Sequence, residues 1–221
     1  MRVGANSMGR RGRLRTFDPE YAVRAALRVF WEQGYEGATL STLKVAMGGI
    51  CSPSLYAAFG SKEALFMRAL VLYRHEELLP SRQVLLGEPV TRAIGDYLRQ
   101  VVLRYTDPDK PKGCLVDLNI VNFSVSNSGI QEYLRGLRLE TSTLLLNCLE
   151  RGQRLGSVPA QVDLLRMTRF LSTLLQGLSI QARDGVSREQ LLWVVEDAQR
   201  MWLSLIGEAG CSAKTAVGTS A

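Results

Sequence analysis

The stretch Thr39 to Phe66, TLSTLKVAMGGICSPSLYAAFGSKEALF, limits the fold more than any other part of this chain. Leu40, Leu43 and Met47 fall at helical spacing, which gives a short helix with one apolar face. Gly48 and Gly49 stop it, because glycine accepts the backbone angles of a tight turn. Ser52-Pro53 is a start signal: a hydroxyl that caps free amides, and a ring that fixes φ at the first helical position. The second helix is short and carries Leu55, Tyr56 and Phe59. Gly60 breaks it, and Ser61 caps a third helix that opens at Lys62-Glu63-Ala64-Leu65-Phe66. Two small helices joined at an angle by a glycine turn form a helix-turn-helix. That geometry presents the second helix to the major groove of DNA.

The flanks read as helix throughout. Asp18-Pro19 opens a helix with Ala22, Ala26, Val29 and Phe30 on one face, and Gly34 closes it. The helix from Lys62 is expected to end near Leu79, because Pro80 follows. Residues 80–90 read as a connection, followed by a helix from Thr91 to Tyr105 and a proline-rich loop over 106–112. Residues 113–125 are apolar and β-branched, so pattern alone allows a buried strand or a buried helix. The lack of a second strand to pair with favours helix. After a turn at Ser126-Asn127-Ser128-Gly129, further helices are expected over 130–155, 162–183 and 188–206. The last two are apolar on more than one face. The tail from Gly207 is small and polar, with disorder expected.

Charge adds a second constraint. The 221 residues carry a net +6, and residues 1–16 hold Arg2, Arg10, Arg11, Arg13 and Arg15 with no acid. The basic character is therefore an N-terminal arm, suited to phosphate contacts or minor-groove entry and ordered only on DNA. With 46% hydrophobic residues the chain can bury a sizeable core. No apolar run reaches the ~18 residues of a membrane helix, and no secretory signal opens the chain. The expectation is a cytoplasmic protein without a membrane partner.

Catalysis and metal binding have little material. The only histidine is His75, which leaves acid–base and nucleophilic mechanisms without a base. Cys51, Cys114, Cys148 and Cys211 lack the close pairing of zinc ligands. No enzyme activity, metal or cofactor is expected. Cys148 reads as a small core residue and Cys51 as a turn residue. Cys114 follows Gly113 at a helix start, where a thiolate can be favoured, but it reads first as packing or pocket lining.

The segment resembles the DNA-binding domain of TetR-family transcriptional regulators. Gly34-Tyr35, Thr39, Leu43, Gly49-Ile50, Leu55-Tyr56, Phe59 and Ser61-Lys62-Glu63-Ala64-Leu65 carry the likeness over about fifty residues. The run Pro53 to Gly60 resembles one subgroup most closely. One departure is visible: an extra residue separates Leu43 from Tyr56, and Gly48-Gly49 holds it. The resemblance implies an all-α chain. Its expected parts are a basic arm (1–16), a three-helix helix-turn-helix domain (17–62), a larger ligand-binding and dimerisation domain (63–207) and a tail (208–221). It also implies a homodimeric repressor, released from a double-stranded operator by a small-molecule effector. The alternative is a helical small-molecule or redox-sensing adaptor, with Cys51 or Cys114 as sensor and little DNA binding.

Candidate residues follow. Arg10, Arg11, Arg13 and Arg15 form the arm, and Ser52, Ser54 and Ala57 are placed to reach bases. Thr39, Ser41, Lys44, Tyr56 and Lys62 are placed to hold phosphate. No Arg, Asn or Gln lies on the second helix, so shape readout is expected to matter. Pocket candidates are Leu98, Val102, Tyr105, Cys114, Leu118, Asn122, Phe123, Leu145, Phe170, Leu174 and Gln181. The expected dimer face is Leu171, Leu175, Leu178, Leu192, Val195, Gln199 and Trp202.

Overall fold

The computed structural model describes residues 18–119 and 128–217, with side chains as far as Ile206. These residues form helices and no strand. Helix α1, Pro19–Gly37, starts where Asp18 accepts hydrogen bonds from the amides of Glu20 (2.9 Å) and Tyr21 (3.3 Å). Its helical angles break at Gly34, with φ 72° and ψ 170°, a backbone state that glycine adopts without strain. Helices α2, Leu40–Ala46, and α3, Ser52–Phe59, follow, and α4, Lys62–Tyr73, is capped by Ser61 as the sequence indicated.

The helix-turn-helix is held by α1 and the first half of α4. Phe30 meets Phe66 edge-on at 4.8 Å between ring centroids, and Tyr35 lies 5.0 Å from the same ring. Leu43, Leu55 and Phe59 bury their side chains against this aromatic centre. Phe66, four residues past the expected boundary at residue 62, thus packs with the aromatic side chains of α1. The hydrophobic core continues from head to body without a break.

Pro80 does not end the fourth helix. A π-helical turn, Arg74–Leu78, and helix α5, Leu79–Arg82, carry the chain past it into a 3-10 turn, Gln83–Leu86. The wider turn admits a ring that cannot donate a hydrogen bond. Ser81 Oγ donates to the carbonyls of Glu77 and Leu78, which closes the local accounting. The body then builds from α6 (Val90–Tyr105), α7 (Leu115–Leu118), α8 (Ser128–Arg154), α9 (Leu164–Arg183) and α10 (Arg188–Val217).

Three local expectations change. The apolar stretch 113–125 gives only the single turn α7 before residues 120–127, which lie outside the described residues. Ser128 and Gly129, expected in a turn, already belong to α8. Helix α10 runs to Val217, past the expected end at Ile206; nothing helix-breaking stronger than glycine interrupts it.

Head and body are joined through Gly113 to Asn119. The Trp31 indole donates to the Gly113 carbonyl at 3.1 Å. The kink at Gly34 diverts the Tyr35 amide from its helical partner, and Asn119 Oδ1 accepts from it at 3.0 Å. Arg183, in the last turn of α9, donates to the carbonyls of Trp31 and Glu32 near the end of α1. Tyr73 from α4 closes the junction: its hydroxyl lies 3.3 Å from Cys114 Sγ and accepts from the Leu115 amide. A shift of the 113–119 segment therefore pulls on α1 and α4 together.

Candidate nucleic-acid interface

Each end of the two short helices has a local cause. Thr39 is the N-cap of α2, and its Oγ1 accepts from the Thr42 amide at 3.1 Å. Gly48 and Gly49 both take positive φ, 85° and 81°, so two glycine steps carry the turn from Met47 to Cys51. Helix α3 starts one residue earlier than the Ser52-Pro53 signal implied: Cys51 is the cap residue, and Ser52 is already helical. Ser52 Oγ is instead the acceptor for Lys44 Nζ at 3.1 Å, which ties α3 to α2.

The outer surface is built from Ser41, Ser54, Tyr56 and Ala57, all exposed, with Lys44, Ser52 and Lys62 half-buried at its edge. Thr39 is exposed too, but its side chain is committed to the cap. Tyr56 is 45% exposed, so its ring is not a core element. Lys62 Nζ sits 4.5 Å over the Tyr35 ring, and desolvation lowers its pKa. Sequence reasoning missed Val45, 74% exposed on α2, and the exposed Pro53. Opposition to the buried Leu43 was the signal for Val45. These apolar groups suit thymine methyls or sugar edges better than phosphate. Arg10, Arg11, Arg13 and Arg15 lie outside the described residues.

The cysteines differ in environment. Cys51 is exposed, and its hydrogen bond with Ser54 Oγ, at 3.1 Å, holds the thiol pKa below its usual value. Cys114 is buried, and desolvation pushes its pKa up to about 11. The thiolate that a helix start can favour is thus disfavoured here, since α7 is one turn long and the thiol is buried, as suits a packing or pocket-lining residue. Burial also raises Cys148. Alkylation of the folded protein near pH 8 should label Cys51 first and spare Cys114 and Cys148 until denaturant is added. Peptide mass spectrometry checks this, and equal labelling of Cys51 and Cys114 would contradict it.

Inside the body, a cavity of about 40 Å³ is lined by Tyr97, Arg104, Tyr105, Cys114, Asp117, Arg138, Ser142, Ser172 and Gln176 among others. Of the pocket candidates, Tyr105 and Cys114 reach it. Leu98, Val102 and Leu145 are core residues, and Leu118 packs by Gly113. Phe170, Leu174 and Gln181 line a separate open groove between α9 and α10 with Leu191 and Val194. Asn122 and Phe123 lie outside the described residues.

The bacterial regulatory proteins of the tetR family provide a model that matches residues 22–69. HTH-type transcriptional repressor ComR of Escherichia coli (strain K12) is 32% identical over 202 residues, covering 89% of this chain and 94% of ComR. The chain belongs to the TetR family. Repressor BdcR of the same organism is 33% identical over 183 residues, covering 81% of this chain and 86% of BdcR. Among solved structures, a cysteine variant of the TetR-family regulator CifR, complexed with 26-bp double-strand operator DNA, is 42% identical. It superposes with a TM-score of 0.81 over 86% of this chain and 100% of that one. As a TetR-family member the protein is a DNA-binding transcriptional regulator, and the helix-turn-helix is the reading head.

The final helices of this TetR-family chain bury most of the residues expected on the dimer face. Leu171, Leu175, Leu178, Val195 and Trp202 are buried within the protomer. Leu192 is half-buried, and Gln199 accepts from Arg99 at 2.6 Å. The outward surface is instead Leu165, Phe170, Ile180, Trp193, Val194 and Met201, with Trp193 52% and Met201 57% exposed. Helices apolar all round do not declare which face turns inward, and five of the seven expected residues turn into the protomer.

Proposed function

We propose that the protein is a homodimeric repressor whose heads leave their operator when a small molecule occupies the body. The exposed α3 surface, set on a rigid aromatic core, supports the DNA-reading role, and the names of ComR and BdcR support repression. The operator-bound CifR complex supports a double-stranded target. We read Ser52, Ser54, Ala57 and Val45 as base-facing, and Ser41, Lys44, Tyr56 and Lys62 as backbone-facing. Arg10, Arg11, Arg13 and Arg15 serve as the arm. Effector binding acts by favouring one placement of the heads over another, so release depends on differential affinity. Gly113 to Asn119 transmits the change, because it touches both the cavity and α1.

The dimer uses the outward faces of α9 and α10, an apolar strip of the kind soluble monomers rarely leave uncovered. Replacing Trp193 and Met201 together by Glu should give a folded monomer in sedimentation or light scattering. Operator affinity should fall by about 100-fold or more, since paired half-sites are lost. A double variant that remains a dimer would remove this face from the account, and a monomeric wild-type protein at micromolar concentration would remove the dimer.

A further inference from the structure

The interior cavity has a charge imbalance. Arg104 and Arg138 both line it, and neither forms a salt bridge among the described residues. Arg104 spends Nη1 on neutral acceptors, the Glu77 carbonyl at 2.5 Å and Ser81 Oγ at 2.7 Å. Its Nε is buried with no hydrogen-bond partner. Arg138 gives Nη1 to the Val116 carbonyl at 3.2 Å. The acid in the lining is Asp117, which Tyr105 approaches with its hydroxyl at 3.4 Å.

Two guanidinium groups against one carboxyl leave one positive charge unbalanced when Asp117 is ionised. A buried cation without an anion is costly, and a guanidinium edge matches a carboxylate through paired N–H donors. Size narrows the class further. With about 40 Å³ of space open to water-sized groups the cavity admits only a small molecule, so long or bulky ligands do not fit without displacing core side chains. The Asp117 carboxyl in the same space disfavours polyanions. Ser142 and Ser172, 3.0 Å apart, and Gln176 offer neutral partners for a remaining polar atom.

We propose that this cavity binds a short monocarboxylate of two to four carbons, its carboxylate held by Arg104 and Arg138. This rests on the ligand-responsive reading above and names the chemical class of the effector. Occupation places an anion beside Arg104 and Asp117, next to the Cys114–Asn119 segment that holds Tyr35 and Tyr73. Ligand charge is thereby read directly at the junction of head and body.

The test is titration calorimetry of the full-length protein with acetate, propionate, lactate and butyrate, against acetamide and propionamide as neutral shapes. At least one acid should bind with a dissociation constant below about 1 mM, and the amides at least tenfold more weakly. Arg138→Gln should weaken the acid at least tenfold while leaving the circular dichroism and melting curve near wild type. Because Arg104 also supports the Glu77–Ser81 turn, Ser172→Leu serves as a second variant, whose larger side chain fills the cavity without touching a cation, and it should also abolish binding. Equal affinity for acid and amide, acid binding unchanged in both variants, or no acid binding at 10 mM would overturn the proposal. A parallel gel shift separates the two claims. Acid binding without operator release keeps the site and sinks the release reading; operator release by an unrelated molecule with no acid binding does the reverse.

Discussion

Changing Arg10, Arg11, Arg13 and Arg15 to alanine is expected to weaken operator binding by about 100-fold or more and to flatten its salt dependence. The reason lies in what the head lacks. Residues 17–62 hold four basic side chains, Arg24, Arg28, Lys44 and Lys62, and four acidic ones, Asp18, Glu20, Glu32 and Glu36. Two of the four cations are engaged elsewhere. Arg24 pairs with Glu76 at 2.7 Å, and Arg28 pairs with Glu32 at 3.1 Å. Only Lys44 and Lys62 border the α3 surface, and Lys44 is bonded to Ser52. A head of zero formal charge draws little from counterion release. Four arm arginines, if each meets one phosphate, add about 3 to 4 to the slope of log affinity against log salt per protomer. Fluorescence anisotropy at several salt concentrations reads both quantities. A variant with wild-type affinity and slope would show that the arm stays off the DNA.

Gly113→Ala is expected to be the most damaging single-methyl change in the body. Gly113 has φ +77°, and an added Cβ would stand 2.6 Å from the Ser179 backbone carbonyl, which has no freedom to move aside. Left-handed backbone strain and the clash together cost about 3 kcal/mol. For a chain of this size that lowers the melting temperature by roughly 6–12 °C. The same shift would loosen the Trp31–Gly113 bond and the Cys114 amide's bond to Ser179 Oγ at 2.8 Å, so the head should uncouple from the body. Gly156→Ala is the control. It shares a positive φ of 74° but meets nothing within 4 Å, and should cost only about 1–2 kcal/mol. Similar melting temperatures for the two variants would show that the close approach at Gly113 is not a constraint.

The head was legible because its information is local. The cap at Asp18, the break at Gly34, the glycine turn and the Ser61 cap each act within four residues, and the structure places the helix ends within a residue or two of those signals. What misled were signals whose outcome depends on distant partners. Pro80 stops an ordinary helix, but a π turn upstream lets the chain pass it. Helices α9 and α10 are apolar on several faces, so choosing the buried face needed α6 and α8 in place, and five of the seven residues expected on the dimer face are core. Arg104, Asp117 and Arg138 gave no hint of one site, because they lie on three separate elements and meet only through the fold. Asn119 and Arg183, which tie the head down, were equally silent: each acts on carbonyls or amides more than eighty residues away.

The central claim is that two protomers set their α3 helices into successive major grooves of one operator. Hydroxyl-radical footprinting of the wild-type protein on the DNA flanking its own gene tests it most directly. Two protected half-sites related by a twofold axis, with centres about one helical turn or a small multiple apart, are the predicted result, and they should survive excess non-specific DNA. Protection that is absent, confined to a single half-site, or equal on scrambled sequence would contradict the account.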